Sequence, residues 1–204
     1  MLRESLIDSA LNRLSAHFGM HLVVHPPAGA DALAQLEHWV GPIPREFSIF
    51  LSTCDGLRVR SEGRESEWHL WGTHEILASI VAPPGPGAPP GFIPLRGDPS
   101  GERDWLIAAH APARNSVLRW DPWVPGAELI ASGFGSYFRS GVRYVTQYYT
   151  PDGKRIAPVD RTPLFDARFC ELDDLQLTLL QTDLRVTEWL LEIDRGVACG
   201  DDYE

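Results

Sequence analysis

Three histidines have a spacing that suggests metal chemistry. His17, His21 and His25 are four residues apart, and side chains at that spacing align on one face of a helix, where they can ligate a metal. Gly19 and Pro26 would interrupt such a helix, and neither a cysteine nor an acidic ligand lies at a metal-motif distance. The pattern therefore favours surface histidines, and we predict no bound metal.

Three glycine-containing segments match catalytic or phosphate-binding motifs only in part. In residues 97–101, Ser100 stands fourth rather than third in the order of a nucleophile turn, which favours a hairpin turn. Residues 133–135 lack the third glycine of a dinucleotide-binding loop. Pro86 removes from residues 85–87 a backbone N–H that a phosphate would need. We therefore predict no bound cofactor.

Two carboxylates, Glu188 and Glu192, lie at positions i and i+4 of a predicted helix and therefore share one face. A general acid and base at these positions would need a cleft that shifts their pKa values. Arg185 and Arg195 lie three residues before and after the pair, so a solvated, charge-paired face is the favoured interpretation.

A hydrolase that uses Asp98, Asp104 and Asp121 is a minor alternative, because it requires three loop carboxylates to converge in one pocket. Cys54 stands at the end of a predicted helix, and we expect it to be buried as a small apolar residue. These patterns predict no catalytic residue and a protein that is not an enzyme.

The composition predicts a soluble globular chain. Of its 204 residues, 44% are apolar and 23% are charged, as in one ordinary domain with or without an extension. Three cysteines are too few for a disulfide framework and indicate a reducing compartment, so we expect a cytoplasmic protein. Charged residues near the N-terminus interrupt the apolar segment that a signal peptide needs. The uncharged stretch at residues 76–95 contains prolines, so it cannot form a continuous membrane-spanning helix. No membrane association is predicted.

The net charge is acidic and unevenly distributed. Eighteen basic and 28 acidic residues give a net charge of −10, which disfavours nucleic acid and favours a basic protein partner. Residues 171–204 carry ten acidic residues and two arginines, a net charge of −8, for which solubility alone is the alternative explanation. The predicted partner-binding residues come from this segment and from a smaller acidic group: Glu62, Glu65, Glu67, Glu188, Glu192, Asp201 and Asp202.

The clearest predicted helix begins at Pro44, because proline suits the first helical position. Phe47, Phe50 and Leu51 follow at i, i+3 and i+4, so they share one face that we expect to be buried. Residues 55–56, Asp-Gly, are placed to close this helix, because glycine adopts the left-handed conformation of a C-terminal cap.

The other elements follow from periodicity, caps and turn residues. Most of the seven tryptophans are expected in the core, and one or two are expected to anchor a partner. Residues 82–91 are expected to be a proline-rich loop, and residues 174–180 stay open between helix and strand. We predict helices at 2–18, from the N-cap Asp31 to Gly41, at 73–78, 132–139 and 183–195, and strands at 21–24, 57–59, 68–71, 92–95, 105–109, 117–120, 143–149 and 155–158, the last two forming a hairpin.

Four blocks between residues 30 and 141 resemble the SUKH superfamily, which includes fungal glucan-synthesis regulators and many bacterial immunity proteins. The first runs from Ile-Pro through Phe-Leu to Asp-Gly, at residues 43–56, and the second begins with Trp-His-Leu-Trp, at 68–77. The third is Phe-Ile-Pro-Leu followed by Gly-Asp and Gly, at 92–101. The fourth joins Val-Leu-Arg-Trp-Asp to an aromatic helix, at 117–138.

The resemblance implies an α+β fold, with a twisted, largely antiparallel sheet, helices packed around it and a C-terminal helical extension. We expect a SUKH-like domain at residues 1–145, and at 146–204 a hairpin and an acidic helical extension packed on the same domain. The resemblance also implies a binding role, because bacterial members resemble immunity proteins that neutralise a toxin. A regulatory or scaffolding module that binds an endogenous cytoplasmic protein is the alternative, and the oligomeric state stays open.

Overall fold

A computed structural model describes residues 4–60, 68–81, 91–97, 103–108, 115–120, 127–131, 133–154 and 156. Within these residues, helices are interspersed with strands, the last four strands are consecutive, and a short 3-10 turn lies at Gly19–His21. The elements are α1 (Glu4–Phe18), β1 (Leu22–Val24), α2 (Ala30–Val40), α3 (Arg45–Thr53), β2 (Leu57–Val59), β3 (His69–Leu70), α4 (Thr73–Val81), β4 (Phe92–Gly97), β5 (Arg103–Ile107), β6 (Val117–Trp120), β7 (Ala127–Ala131) and α5 (Phe134–Tyr148).

The strands form two antiparallel sheets in which sequence neighbours pair. The first has the order β1-β2-β3 and the second the order β4-β5-β6-β7. Between the sheets, the backbone N–H of Trp71 donates to the carbonyl of Leu95, at 2.9 Å, so the end of β3 is held beside β4. This arrangement confirms the predicted α+β fold and its antiparallel pairing, with the strands divided between two sheets.

Helix α1 forms because apolar residues recur at helical spacing and Gly19 ends the helix with φ +50°. Its buried face, Ile7, Ala10, Leu14 and Phe18, packs against α5. The predicted helix at residues 2–18 is therefore confirmed over the described residues 4–18.

Helix α3 supplies an aromatic layer of the core. Phe47, Phe50 and Leu51 are buried, as predicted. The Phe50 ring centroid lies 5.1 Å from that of Phe134 and 5.2 Å from that of Phe138, both on α5. Such tilted and edge contacts stabilise a pair beyond the area that it buries.

Two predicted helix starts are displaced. Pro44 is the N-cap of α3 rather than its first helical residue. Gly29 is the N-cap of α2, so Asp31 lies in the first turn and the prediction that it caps the helix is wrong. A carboxylate in the first turn still interacts favourably with the helix dipole, which explains why the sequence signal was close to the true boundary.

The second half of α5 corrects the predicted hairpin. Residues 143–149 were predicted as a strand, but α5 continues to Tyr148 and buries Val142, Tyr144 and Val145. β-branched and aromatic residues favour strands, yet packing against α1 outweighs that local preference. The predicted domain boundary at 145 therefore falls inside a helix. After the helix, the N–H of Ile156 donates to the carbonyl of Tyr148, at 2.9 Å.

The remaining strands agree with the sequence patterns, with shifts of one or two residues at their ends. Strand β7 was not predicted as a strand. Several predicted segments lie outside the described residues, except for residues 91 and 156. They are the loop at 82–91, the hairpin strand at 155–158, and the segments at 171–195 and 174–180. In the part of the chain that is described, none of the helices combines the length and apolar character needed to cross a bilayer.

Candidate functional site

A row of charged residues crosses the second sheet. The Cα atoms of Arg96, Asp104 and Arg119 are paired in register on β4, β5 and β6, so the three side chains are cross-strand neighbours. Asp104 is fully buried. Arg119 Nε donates to its Oδ1 at 3.0 Å, and Arg96 Nε lies 2.8 Å from its Oδ2. One carboxylate therefore joins two guanidinium groups inside the protein.

Helix α5 completes this cluster. The hydroxyl of Tyr137 donates to Asp104 Oδ2 at 2.8 Å. Burial opposes ionisation of Asp104, but Arg96 and Arg119 outweigh it and hold its pKa below the usual range. Burial and the Asp104 carboxylate raise the pKa of Tyr137 well above its usual value. The cluster thus pairs an ionised carboxylate with a protonated tyrosine, and it bonds the helix to the sheet.

This geometry bears on the hydrolase alternative, which needs Asp104 in a pocket with Asp98 and Asp121. Asp104 is engaged by two arginines and a tyrosine, and its lowered pKa does not suit proton transfer near neutral pH. Asp98 and Asp121 lie outside the described residues.

Asp55 connects the end of α3 to the start of α4. Its Oδ1 accepts a hydrogen bond from the backbone N–H of Thr73 at 2.6 Å, and its Oδ2 accepts from the Thr73 hydroxyl at 2.7 Å. Gly56 has φ +90°, and a Cβ atom there would lie 2.6 Å from the nitrogen of Gly72. Helix α3 ends at the C-cap Cys54, whose backbone is extended, so the prediction that Asp55 and Gly56 close α3 is wrong. The pair instead caps the next helix, and the close approach of the two segments requires glycine.

The start of α4 is held by a second carboxylate. The N–H of Gly72 donates to Glu75 Oε2 at 3.1 Å, and His69 Nε2 lies 3.0 Å from Glu75 Oε1. Burial opposes ionisation of Glu75, but the bonds to His69 and to the Gly72 amide hold its pKa below the usual value.

We predict that Asp55→Ala lowers the free energy of unfolding by about 1–3 kcal/mol, because it leaves the start of α4 without its acceptor. Urea unfolding followed by circular dichroism measures this change. Asp31→Ala is the matched control, because Asp31 is an exposed carboxylate in the first turn of α2 and not its N-cap. A loss for Asp55→Ala no larger than that for Asp31→Ala would show that the cap contributes nothing.

Cys54 is buried, as predicted, with none of its surface exposed. Burial, with a smaller contribution from Asp55, raises the pKa of Cys54 to about 12. The thiol is therefore protonated at neutral pH, and a thiol is a much weaker nucleophile than a thiolate.

The three evenly spaced histidines lie on different elements. His17 is on α1, with Nε2 2.9 Å from the carbonyl oxygen of Tyr149, His21 is in the 3-10 turn, and His25 follows β1. Among the residues that the structure describes, His, Cys, Asp and Glu side chains do not form a group of three that could hold a metal ion.

A groove lies where α1, α3 and the start of α5 meet. It has a volume of about 60 Å³ and is lined by apolar side chains of Leu6, Ile49 and Phe138 with Arg139 at its edge. Glu46 also lines it and accepts a hydrogen bond from the N–H of Gly135 at 3.0 Å. The Glu46 carboxylate thus lies at the N-terminus of α5, where it accepts a hydrogen bond from a backbone N–H. We name this feature the α1–α3–α5 groove.

Some large apolar side chains are exposed on the described surface. Of the four tryptophans whose burial is described, Trp68 and Trp105 are buried, Trp71 is half-buried and Trp39 on α2 is 49% exposed, so the prediction that most tryptophans lie in the core is met for two of these four. Met20 is also exposed. The exposure of Trp39 could have been predicted from the sequence, because Leu36 and Val40 define the buried face of α2 and Trp39 lies beside that face.

All seven predicted partner-binding residues lie outside the described residues: Glu62, Glu65, Glu67, Glu188, Glu192, Asp201 and Asp202. Their role stays a prediction. Comparison of the chain with models of known protein families and with curated proteins gave no match.

Proposed function

We propose that this chain is a non-catalytic protein-binding domain, an immunity protein that binds and neutralises a bacterial toxin domain in the cytoplasm. The observation that carries the proposal is the role of its chemistry-bearing residues. Asp104, Asp55 and Glu46 each accept hydrogen bonds that join two elements of the fold, and Cys54 is a buried thiol. In the described domain these groups serve the scaffold, which favours binding over catalysis.

The surface and the charge of the chain support the same proposal. Trp39 presents a half-exposed aromatic ring on a helix, and tryptophan is enriched among residues that dominate binding energy. The acidic segment at residues 171–204 creates a field that attracts a basic partner. The resemblance to the SUKH superfamily adds the class of partner, a bacterial toxin such as a nuclease.

Co-expression with the toxin encoded beside this gene tests the proposal. We expect the chain to restore growth and to co-purify with the toxin, whereas a toxin from an unrelated locus should stay active. Absence of both protection and co-purification would refute the immunity role. A neighbourhood of housekeeping genes, without a toxin, would instead favour the regulatory or scaffolding module.

We predict that the acidic segment acts on the rate of association. Neutralising Glu188, Glu192, Asp201 and Asp202 should slow association at low salt and matter less at high salt, because exposed charges act over a screening length of about 8–10 Å. Dissociation should change little, since it depends on buried contacts. Surface binding kinetics at two ionic strengths measure both rates.

A second quadruple variant controls for net charge alone. It neutralises four acidic residues of the described domain, and it changes the total charge by the same amount. If both variants slow association equally, the effect is one of net charge and the C-terminal segment has no special position. The control residues are Asp8, Asp31, Glu37 and Asp152.

A further inference from the structure

We propose that the predicted C-terminal helix, residues 183–195, docks in the α1–α3–α5 groove of its own chain. This inference concerns the chain alone and does not depend on a toxin. The groove exposes Leu6 to 46% on α1 and leaves Ile49 on α3 only partly buried. Covering these side chains with apolar residues removes them from water.

The α1–α3–α5 groove lies at one end of the seam where α1 and α5 pack together. Near the start of both helices, Leu6 and Ile7 line the groove with Phe138, and near their ends Phe18 lies beside Val145 and Tyr149. The two helices therefore run side by side in the same direction. A helix of 13 residues is about 20 Å long, comparable in length to this helix pair.

Arginines border this seam. Arg139 lines the groove, and Arg143, one turn further along α5, is exposed. Arg13 on α1 is also exposed, four residues before His17, which contacts the carbonyl of Tyr149 on α5. The groove thus combines apolar side chains with Arg139 and with Glu46, whose carboxylate is engaged by Gly135, and Arg143 adds a second positive charge beside it.

The predicted helix has the complementary pattern. Val186, Trp189, Leu190 and Ile193 recur at i, i+3, i+4 and i+7, so they form one apolar face. On a helix, Asp183 and Asp194 flank one side of that face, where they can meet the arginines. The carboxylates of the opposite side, Glu188 and Glu192, then point outward, where they stay available to a basic partner.

The chain length allows the contact. The described chain ends at residue 156, beside the end of α5, where Ile156 bonds to Tyr148. Residues 157–182 separate this point from the predicted helix, and a chain of this length can extend to about 85 Å. Helix α5 is about 22 Å long, so the connection reaches back along it.

Amide hydrogen exchange of the full chain tests the docking. We expect amides of residues 183–195 to exchange at least tenfold more slowly than the same sequence in an unstructured state. Leu6→Glu should remove this protection, because it places a carboxylate in the groove beside an acidic helix. Met20→Glu is the matched control, since Met20 is 89% exposed and lies outside the groove, and it should keep the protection.

A charge exchange separates docking from loss of folding. Arg139→Glu with Arg143→Glu should speed exchange in residues 183–195, and adding Asp183→Arg with Asp194→Arg should restore the slow exchange. Circular dichroism verifies that each variant is folded. Three results would overturn the proposal. They are exchange at the unstructured rate in the wild type, protection that survives both Leu6→Glu and the double arginine variant, and protection that rises with protein concentration, as expected for docking on a second copy. None of these outcomes depends on the toxin experiment.

Discussion

Asp104→Ala is expected to lower the free energy of unfolding by about 3–5 kcal/mol, because it leaves buried guanidinium groups without their carboxylate. Arg96 and Arg119 both lie within 3.0 Å of Asp104, and Tyr137 loses the acceptor of its hydroxyl. Urea unfolding at neutral pH measures the change. The α5 helix should lose its bond to the sheet in the same variant.

A surface carboxylate provides the control. Asp8 on α1 is exposed, so Asp8→Ala should leave the free energy of unfolding nearly unchanged. If Asp104→Ala costs less than about 1 kcal/mol, the cluster does not hold α5 to the sheet as described.

The same cluster makes stability depend on pH in a defined direction. Because the folded-state pKa of Asp104 is lowered, its contribution is fully present above the unfolded value of about 3.9 and is lost as the pH falls through the folded value. The stability difference between wild type and Asp104→Asn should therefore shrink on acidification below pH 4. Tyr137 has a raised pKa, so its contribution is present below about pH 10 and is lost at higher pH.

The local elements were predictable where one strong signal determined each of them. Helix α3 has a proline before it, glycine after it and an apolar face at helical spacing, so burial of Phe50 and Leu51 followed directly. The later half of α5 was not predictable in this way. Val142, Tyr144 and Val145 favour strands locally, and their helical conformation depends on packing against α1, which is distant in sequence.

The charged row on the second sheet could not be predicted from local sequence patterns either. Arg96, Asp104 and Arg119 belong to three strands, and their alignment depends on the register across connections whose geometry the sequence does not specify. A partial signal existed, because each charge is adjacent to a buried apolar residue in an apolar strand. That pattern indicates alternate faces, but it does not identify the partner strand.

The other large effect is expected for Phe50→Ala, which should lower the free energy of unfolding by about 3–5 kcal/mol, the usual cost of truncating a buried phenylalanine. The Phe50 ring is 1% exposed and contacts Phe134 and Phe138. The substitution leaves a cavity between α3 and α5, which rigid aromatic neighbours can fill only in part. Urea unfolding by two probes, circular dichroism and tryptophan fluorescence, measures the loss.

Ile49→Ala is the neighbouring control, because Ile49 lies on the same helix but is only partly buried and lines the α1–α3–α5 groove. It removes an apolar group that is already partly in contact with solvent, so its cost should be clearly smaller than that of Phe50→Ala. Phe50→Leu should lie between the two, since leucine retains part of the buried volume. A cost below about 1 kcal/mol for Phe50→Ala would mean that the aromatic layer between α3 and α5 relaxes around the missing ring, and that these helices are joined mainly through the bond from Gly135 to Glu46.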